Sequence, residues 1–517
     1  MTKIGFFCSS ASEYRVVKET LKSFGNVTLL MNIECAKNAI NDNIGSFDIE
    51  LNSLCFDDVN VWEYYSIKNV FFHLRKENIF QLASDLCKLV YKYKDINFVA
   101  ITNDLELWIN FYEICGFHSN IYVAPVFDLD IGSSSLWITT NLHSVFISPE
   151  HFLADYSFTE VFQNLLVIAI ERNVNLYVSK VSEDFKEIFA TLYSLIKVVP
   201  KTDVYDLKVP FDMNSLELNS KYYDVLEMDK IKYFSYRLAL EKALKDRESN
   251  DIVQVAIVGA GRGKIVDCAI QAGAKNIYVF ENNHQRFQIL KKRKENEWPG
   301  FVQIFEGDFK KIKLQRNVDI IISDLLGEFA DNKLLPECLD GYDKIVNDNT
   351  IFIPQKLSSY VVPLMSQYIW SKAMHNKIVK KIYFTSLESA VFLSKPQLFM
   401  EYNYPGKNTN IQTKELDFEI KANGQFSGFG GWFTAILYDD VVLSTSPFEH
   451  TPNMNSLLQV YFQINFQNNV KSNDIMKAYF SRKTDGKTVW YEWAVTKPSI
   501  VPIQNPGGTN FSIDIYK

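Results

Sequence analysis

The stretch Val253–Glu281 constrains the fold more than any other part of this 517-residue chain. An apolar strand, Val253–Val258, runs into the turn Gly-Ala-Gly-Arg-Gly-Lys; a helix over Ile265–Ala272 follows, and a second strand, Ile277–Phe280, ends on Glu281. Strand, crossover helix and returning strand make a right-handed unit whose two strands lie parallel and buried. The segment is therefore one half of a doubly wound sheet, and its ligand crevice lies beyond the carboxyl ends of the strands. The turn carries Gly259, Gly261 and Gly263, where the missing side chain permits tight turning and close approach of a ligand to backbone N–H groups.

The spacing G-x-G-x-G departs from the dinucleotide pattern G-x-G-x-x-G, and Glu281 lies 22 residues past the first glycine. A carboxylate at that distance accepts both hydroxyls of a ribose. Asp308, after the strand Val302–Phe305, is placed to meet an adenine amino group. No pyrophosphate-binding pattern completes the motif, so these features suit S-adenosyl-L-methionine better than NAD. The bland alternative makes Glu281 a helix cap and Asp308 a solvated turn residue.

A second informative segment is the acidic loop Ser323–Asp340, S-D-L-L-G-E-F-A-D-N-K-L-L-P-E-C-L-D, which follows the strand Val318–Ser323. Four of the six strand residues are Val or Ile, as in a buried parallel strand. Its most telling position carries a cation, Lys333.

At 517 residues the chain exceeds one ordinary core. Short apolar strands alternate with amphipathic runs from Lys3 to about Val199. The strands are Ile4–Cys8, Val27–Met31, Val70–His73, Phe98–Thr102, Ile121–Val126, Val145–Ile147 and Leu176–Val178; helical stretches include Asn78–Lys94 and Thr159–Asn173. That alternation predicts a parallel sheet or barrel with outer helices, shortened if it is a barrel of eight. Pro200–Asn219 reads as a connector. From Gln355 onward the chain is rich in Tyr, Phe, Thr and Val with many turn signals, which predicts an all-β domain, sandwich or barrel. The expected divisions are 1–205, 206–355 and 356–517.

A net charge of −7 argues against direct nucleic-acid binding through a basic surface and permits a cationic protein partner. The seven cysteines and seven histidines show neither C-x-x-C nor ligand-spaced pairs, so no metal site or disulfide framework is expected. The N-terminal apolar run is too brief for a signal peptide, and no stretch approaches the length of a membrane span. Cytoplasm, and also nucleus, are the expected locations.

The runs Y-D-V-L-E-M-D-K-I-K-Y (Tyr223–Tyr233), V-G-A-G-R-G (Val258–Gly263), Ser323–Gly341 and V-W-Y-E-W-A-V-T (Val489–Thr496) resemble type II protein arginine methyltransferases, the symmetric-dimethylating "arginine methyltransferase five" family, in a divergent form. The string F-A-D-N…P-E-C-L-D-G carries most of the resemblance, which runs from about Pro210 to the C-terminus. It implies a TIM-type barrel used for assembly and adaptor docking, a Rossmann-like methyltransferase domain, and a β-barrel with a dimerisation element near Met365–Phe399. It further implies methyl transfer from S-adenosyl-L-methionine to Arg-Gly-rich or histone-like proteins, a homo-oligomer and a WD-repeat adaptor. Tyr223, Lys232, Tyr233, Gly259, Gly261, Glu281, Asp308 and Phe309 are then the cofactor residues, and Asp324 is the catalytic carboxylate.

This chain departs from the family at the acceptor side. Methylating a guanidinium takes an in-line approach to a sulfonium methyl, and the family grips the group with two glutamates nine residues apart. Here the first position is Asp324 and the second Lys333. Two unit charges about 4 Å apart interact by roughly 4 kcal/mol at an effective dielectric of 20, so a lysine there replaces attraction by repulsion of that order. If Lys333 points outward, Glu328 or Glu337 is left to supply the missing charge. Leu226 replaces a phenylalanine that shapes the pocket, and Leu457, in H-T-P-N-M-N-S-L, replaces a tryptophan that packs over the arginine. Two functions follow: an arginine methyltransferase with impaired turnover, or a cofactor-binding scaffold.

Overall fold

The computed structural model describes residues 3–8, 11–21, 27–32, 48–51, 67–116, 118, 120–126, 134–137, 139–181, 184–199, 207–208, 226–247, 252–312, 314, 317–340, 342, 345–374 and 381–515. Two compact units divide the chain. One takes residues 1–205 together with 366–377 and 389–391, and the other takes the remainder.

The first unit holds an eight-stranded sheet in the order β6-β5-β4-β3-β2-β1-β8-β7. Its strands are β1 (Ile4–Cys8), β2 (Val27–Asn32), β3 (Asp48–Leu51), β4 (Asn69–His73), β5 (Asn97–Thr102), β6 (Ile121–Pro125), β7 (Ser144–Ile147) and β8 (Asn175–Val178). Every neighbouring pair runs parallel. The two strands at the ends of that order, β6 and β7, are joined by isolated parallel bridges Val123↔Leu142 and Val126↔Phe146. Alternation along the strands sorts the side chains into two layers. Val70, Phe72, Phe98 and Ala100 enter a large core that also takes helix residues, while Phe71, Val99 and Ile101 join Phe146 and Tyr177 in a second cluster.

Helix Ile79–Lys92 shows why these segments coil. Leu82, Ala83, Leu86, Leu89 and Val90 recur at three- and four-residue intervals and are all buried. Each such leucine contributes on the order of 2 kcal/mol. Helix Leu105–Ile114 is started by Asp104, whose carboxylate accepts the Leu107 N–H at 2.9 Å.

Helix Gln367–Met374 belongs to this first unit although it lies far along the sequence. The Trp108 indole N–H donates to Gln367 Oε1 at 2.8 Å, the Tyr368 N–H donates to the Thr139 carbonyl at 2.8 Å, and the Arg172 guanidinium lies 3.6 Å from the centre of the Tyr368 ring. Part of the stretch expected to serve dimerisation is thus packed within its own chain. The expected boundary at residue 205 omits it, because the apolar pattern of a short helix does not say which core receives it.

The second unit includes helix α1 (Lys230–Asp246), β9 (Val255–Val258), α2 (Lys264–Gln271), β10 (Ile277–Glu281), α3 (His284–Asn296), β11 (Val302–Glu306), β12 (Ile320–Ile322), α4 (Leu335–Leu339) and β13 (Ile351–Ile353). Its five strands run parallel in the order β11-β10-β9-β12-β13. The order reverses between β9 and β12, and that switch point is where such sheets open a crevice. Beyond it come two sheets built on antiparallel pairing: a seven-stranded one around Lys356–Met365, Gly424–Tyr438 and Gln459–Val470, and a five-stranded one around Ile475–Thr484 and Thr488–Lys497.

Candidate active site

The crevice at the switch point is lined from both sides of the reversal: the turn after β9, the ends of β10 and β11, and the loop after β12 all reach it, together with the start of α1. Gly259, Gly261 and Gly263 have φ of +74°, +58° and +95°, backbone that only glycine adopts without strain. A Cβ on Gly259 would also lie 2.8 Å from Leu325.

Glu281 stands at the end of β10, where two strands bring it beside this turn. Its Oε2 accepts the Gly261 N–H at 2.8 Å, and its Oε1 accepts the Asn283 N–H at 2.9 Å. Burial pushes its pKa up, and Arg286 and the backbone N–H groups oppose that rise. Each carboxylate oxygen has a second lone pair, so the group is oriented and still able to accept a pair of hydroxyls. Asp308 follows β11 into the same crevice, and Phe309 packs edge-on against Phe280 with ring centres 6.1 Å apart. A glycine turn without side chains, an oriented acid at the next strand end and a further acid after the third fit an adenosine group.

Across the crevice, α1 delivers Lys232 and Tyr233. Asp229 caps the helix by accepting the Lys232 N–H at 3.0 Å, and its other oxygen accepts the N–H groups of Asn455 and Ser456 at 3.0 and 2.9 Å. Lys232 Nζ donates to Asp324 Oδ2 at 3.0 Å and sits 4.4 Å from the centre of the Tyr233 ring. Burial, and after it the charge of Asp324, hold the Tyr233 hydroxyl well above its usual pKa. Asp324 Oδ1 is buried and has no hydrogen-bond partner among the described residues.

The loop after β12 is firmly held. Gly327 and Ala330 exchange backbone hydrogen bonds of 3.1 Å, Asn332 Oδ1 accepts the Phe329 N–H at 2.7 Å, and Asn332 Nδ2 donates to Glu328 at 3.0 Å. A Cβ on Gly327 would fall 2.2 Å from the Asn332 side chain, so that position has room for glycine alone. Arg482, fully buried, pairs with both Asp331 and Glu337, and the Tyr491 hydroxyl donates to Asp331 at 2.8 Å.

Lys333 turns inward. Its side chain lines the crevice with Lys232, Tyr233, Asp324 and Leu226, and it is only 6% exposed. Burial pulls its pKa down to about 8; Glu328 and Asp324 resist, while Lys232 and Arg286 add to the drop. The fold does not adopt the outward orientation, and Glu337 is committed to Arg482 and does not line the crevice.

The structure thus brings together Lys232, Tyr233, Gly259, Gly261, Glu281, Asp308, Phe309 and Asp324. Tyr223 lies outside the described residues. Leu457 is buried at 1% exposure and does not line the crevice. Sequence reasoning missed the bidentate pair between Arg262 and Glu227, with contacts of 2.9 and 2.6 Å, which ties the glycine turn to the segment before α1. Arg262 stands inside the glycine motif, and that was the available signal. Among the described residues no group of His, Cys, Asp or Glu is arranged to hold a metal.

Residues 195–353 match the family described as PRMT5 arginine-N-methyltransferase, and residues 356–513 match the PRMT5 oligomerisation domain. The chain belongs to the PRMT5 family. Protein arginine N-methyltransferase 5 of Xenopus laevis is 29% identical over 449 residues, 79% of this chain and 71% of that protein. Protein arginine N-methyltransferase skb1 of Schizosaccharomyces pombe is 32% identical over 346 residues, 60% of this chain and 55% of that one. The rice protein arginine N-methyltransferase 5 is 30% identical, over 64% of this chain and 55% of its own length. The chain therefore spans about half the length of two of these three relatives. A solved structure titled as the Trypanosoma brucei PRMT1 enzyme-prozyme complex with AdoHcy aligns at 17% identity and a TM-score of 0.43, covering 57% of this chain and 99% of that one, too slight a likeness to build on. The PRMT5 family is one of protein arginine N-methyltransferases, and its methyl donor is S-adenosyl-L-methionine.

Proposed function

We propose that the chain binds S-adenosyl-L-methionine and is a protein arginine N-methyltransferase whose turnover on Arg-Gly-rich or histone-like segments is strongly impaired. The observation that carries this reading is Lys333, buried inside the crevice beside the pair Lys232–Asp324. Glu281 would hold the ribose hydroxyls, Asp308 the adenine amino group, and Gly259 and Gly261 would give the backbone room; Lys232, Tyr233, Phe309 and Tyr223 would complete the cofactor pocket. When bound, the cofactor supplies an electrophilic methyl group. Asp324 would orient an incoming guanidinium through Oδ1, the oxygen that has no partner within the described fold.

An entering guanidinium meets the ammonium groups of both Lys232 and Lys333 with one aspartate already paired. Misplacement of a gripped group by about 1 Å costs on the order of 10²-fold, and repulsion adds to that. The same observation favours the second reading, a cofactor-binding scaffold that acts through assembly. The match to the oligomerisation domain supports a homo-oligomer. A TIM-type barrel for the first unit is supported by the bridges between β6 and β7, and it would offer the docking face for a WD-repeat adaptor. Cytoplasm and nucleus are the compartments in which we place it.

Calorimetry with the cofactor and methyl transfer to an Arg-Gly peptide test the proposal together. We expect binding, transfer near background in the wild type, and a rise of at least about 100-fold in the Asp324→Glu, Lys333→Glu double variant. Wild-type transfer equal to that of the double variant would overturn the impairment.

A further inference from the structure

The glycine turn faces two ways. Gly259, Gly261 and Arg262 line the crevice, while Gly263 does not. A Cβ on Gly263 would instead lie 2.6 Å from the Trp298 ring and 3.0 Å from Arg293 Nη1. The third glycine therefore makes room for protein behind the turn, and what stands there is a fan of contacts centred on one guanidinium. We propose that Arg293 is a positioning residue of the cofactor site: it holds the back of the glycine turn so that Arg262 keeps its grip on Glu227 at the crevice, and it thereby sets how long the cofactor stays bound. The inference rests on the cofactor reading given above.

Distances carry the proposal. Arg293, in the last turn of α3, donates from Nη1 to the Arg262 carbonyl at 3.0 Å, from Nη2 to the two Asp267 oxygens at 2.9 and 3.0 Å, and from Nε to Glu297 at 2.8 Å. The Trp298 indole N–H donates to the same Asp267 at 2.9 Å, and the Arg293 guanidinium carbon lies 4.9 Å from the centre of the Trp298 ring. Asp267 belongs to the first turn of α2, so the guanidinium bridges the glycine turn to the helix that leaves it. A planar fork of donors makes these bonds together, which a point-like ammonium does not. From the same residue whose carbonyl is held, the Arg262 side chain gives Glu227 two bonds of 2.9 and 2.6 Å. Glu227 and Leu226 line the crevice just ahead of α1. Arg262 thus joins the glycine turn to that segment, and Arg293 fixes the backbone from which Arg262 reaches.

Arg293, Asp267 and Trp298 do not line the crevice, so their effect on a ligand passes through Arg262. Once the carbonyl is released, the peptide between Arg262 and Gly263 can turn, and the Arg262 side chain loses its fixed origin. Parting of the bonds to Glu227 then uncovers the side of the crevice beside Leu226 and Glu227. The effect falls on release more than on association, as is usual for changes within one binding site.

The full-length chain tests this with S-adenosylhomocysteine as the probe. Stopped-flow displacement should show it leaving Arg293→Met about tenfold faster than wild type, the factor set by one charge-assisted hydrogen bond. Glu227→Gln alone should give about threefold, and added to Arg293→Met it should give no further change, because both act on one contact. Arg293→Lys keeps the charge but not the fork, and should release the probe about threefold faster; it carries the test should Arg293→Met fail to fold. An arginine that serves stability alone predicts a lower urea midpoint with an unaltered release rate, and one that acts apart from Arg262 predicts that the two substitutions multiply. Either result overturns the proposal. If calorimetry shows that S-adenosylhomocysteine does not bind the wild-type chain, the cofactor reading fails and this inference falls with it. If it binds, and both Arg293 variants release it at the wild-type rate, the positioning role alone is overturned.

Discussion

At the cofactor end of the crevice, Glu281 stands on two backbone N–H donors beside a turn of three left-handed glycines. Facing it across the crevice, Asp324 is paired with Lys232, and Lys333 is buried beside that pair. Both ends are held by backbone hydrogen bonds, so the difference between them is one of side-chain chemistry. The loop after β12 is shaped by Gly327, by the Asn332 hydrogen bonds and by the Arg482 pairings. A loop can thus take its form from buried contacts such as Arg482 with Asp331 and Glu337, while the charge it turns into the crevice is set by a separate side chain.

The largest expected effect lies in the frame itself. Arg482→Met leaves Asp331 and Glu337 buried without their cation, and removing one partner of a buried pair costs about 3–5 kcal/mol. Urea titration should show a lower midpoint, and a variant as stable as wild type would mean the loop is held by other contacts. Lys333→Met should act in the opposite direction. A lysine drawn from 10.5 to about 8 opposes folding by about 3 kcal/mol at neutral pH, and the unfolded chain binds more protons between those values. Wild-type stability should therefore rise relative to the variant as pH increases from about 8 to 10.5, and the gap between them should close; a gap independent of pH would mean that the lysine charge is not its source.

At the cofactor end, Glu281→Gln keeps the size but loses the charge on two hydrogen-bonding oxygens. Affinity for S-adenosylhomocysteine should fall about 100-fold by calorimetry, two charge-assisted bonds of about 1.5 kcal/mol each being weakened. The smallest effect is expected for Glu227→Gln, since the pair with Arg262 is about a quarter exposed on both sides. Faster cofactor release, by a factor of about 3, in stopped-flow displacement is the expected result, in line with a screened pair worth less than about 1 kcal/mol.

Much of the cofactor end was legible because its parts lie within one strand–turn–helix–strand window, where glycines and a carboxylate at fixed separation serve few purposes besides ligand binding. Asp308 and the loop after β12 were readable for the same reason, each following an apolar strand. Lys333 was visible as an anomaly, but the direction of its side chain was not, since that depends on hydrogen bonds of Asn332 and on Arg482, which is distant in sequence. The hold of Asp229 on Asn455 and Ser456 carried no signal for the same reason. Strand β3, Asp48–Leu51, escaped notice because two of its four residues are acidic and only Ile49 and Leu51 are apolar.

Helix Gln367–Met374 has a consequence for anyone cutting this chain. A fragment ending at residue 205 would leave the buried Trp108 indole N–H without its acceptor and the Arg172 guanidinium without the ring it stacks on. The first unit is completed only by residues made after the parallel sheet of the second, so during synthesis it waits for more than 160 further residues before its last helix arrives. The N-terminal fragment alone should be poorly soluble, and supplying the 366–377 segment as a separate peptide should rescue it.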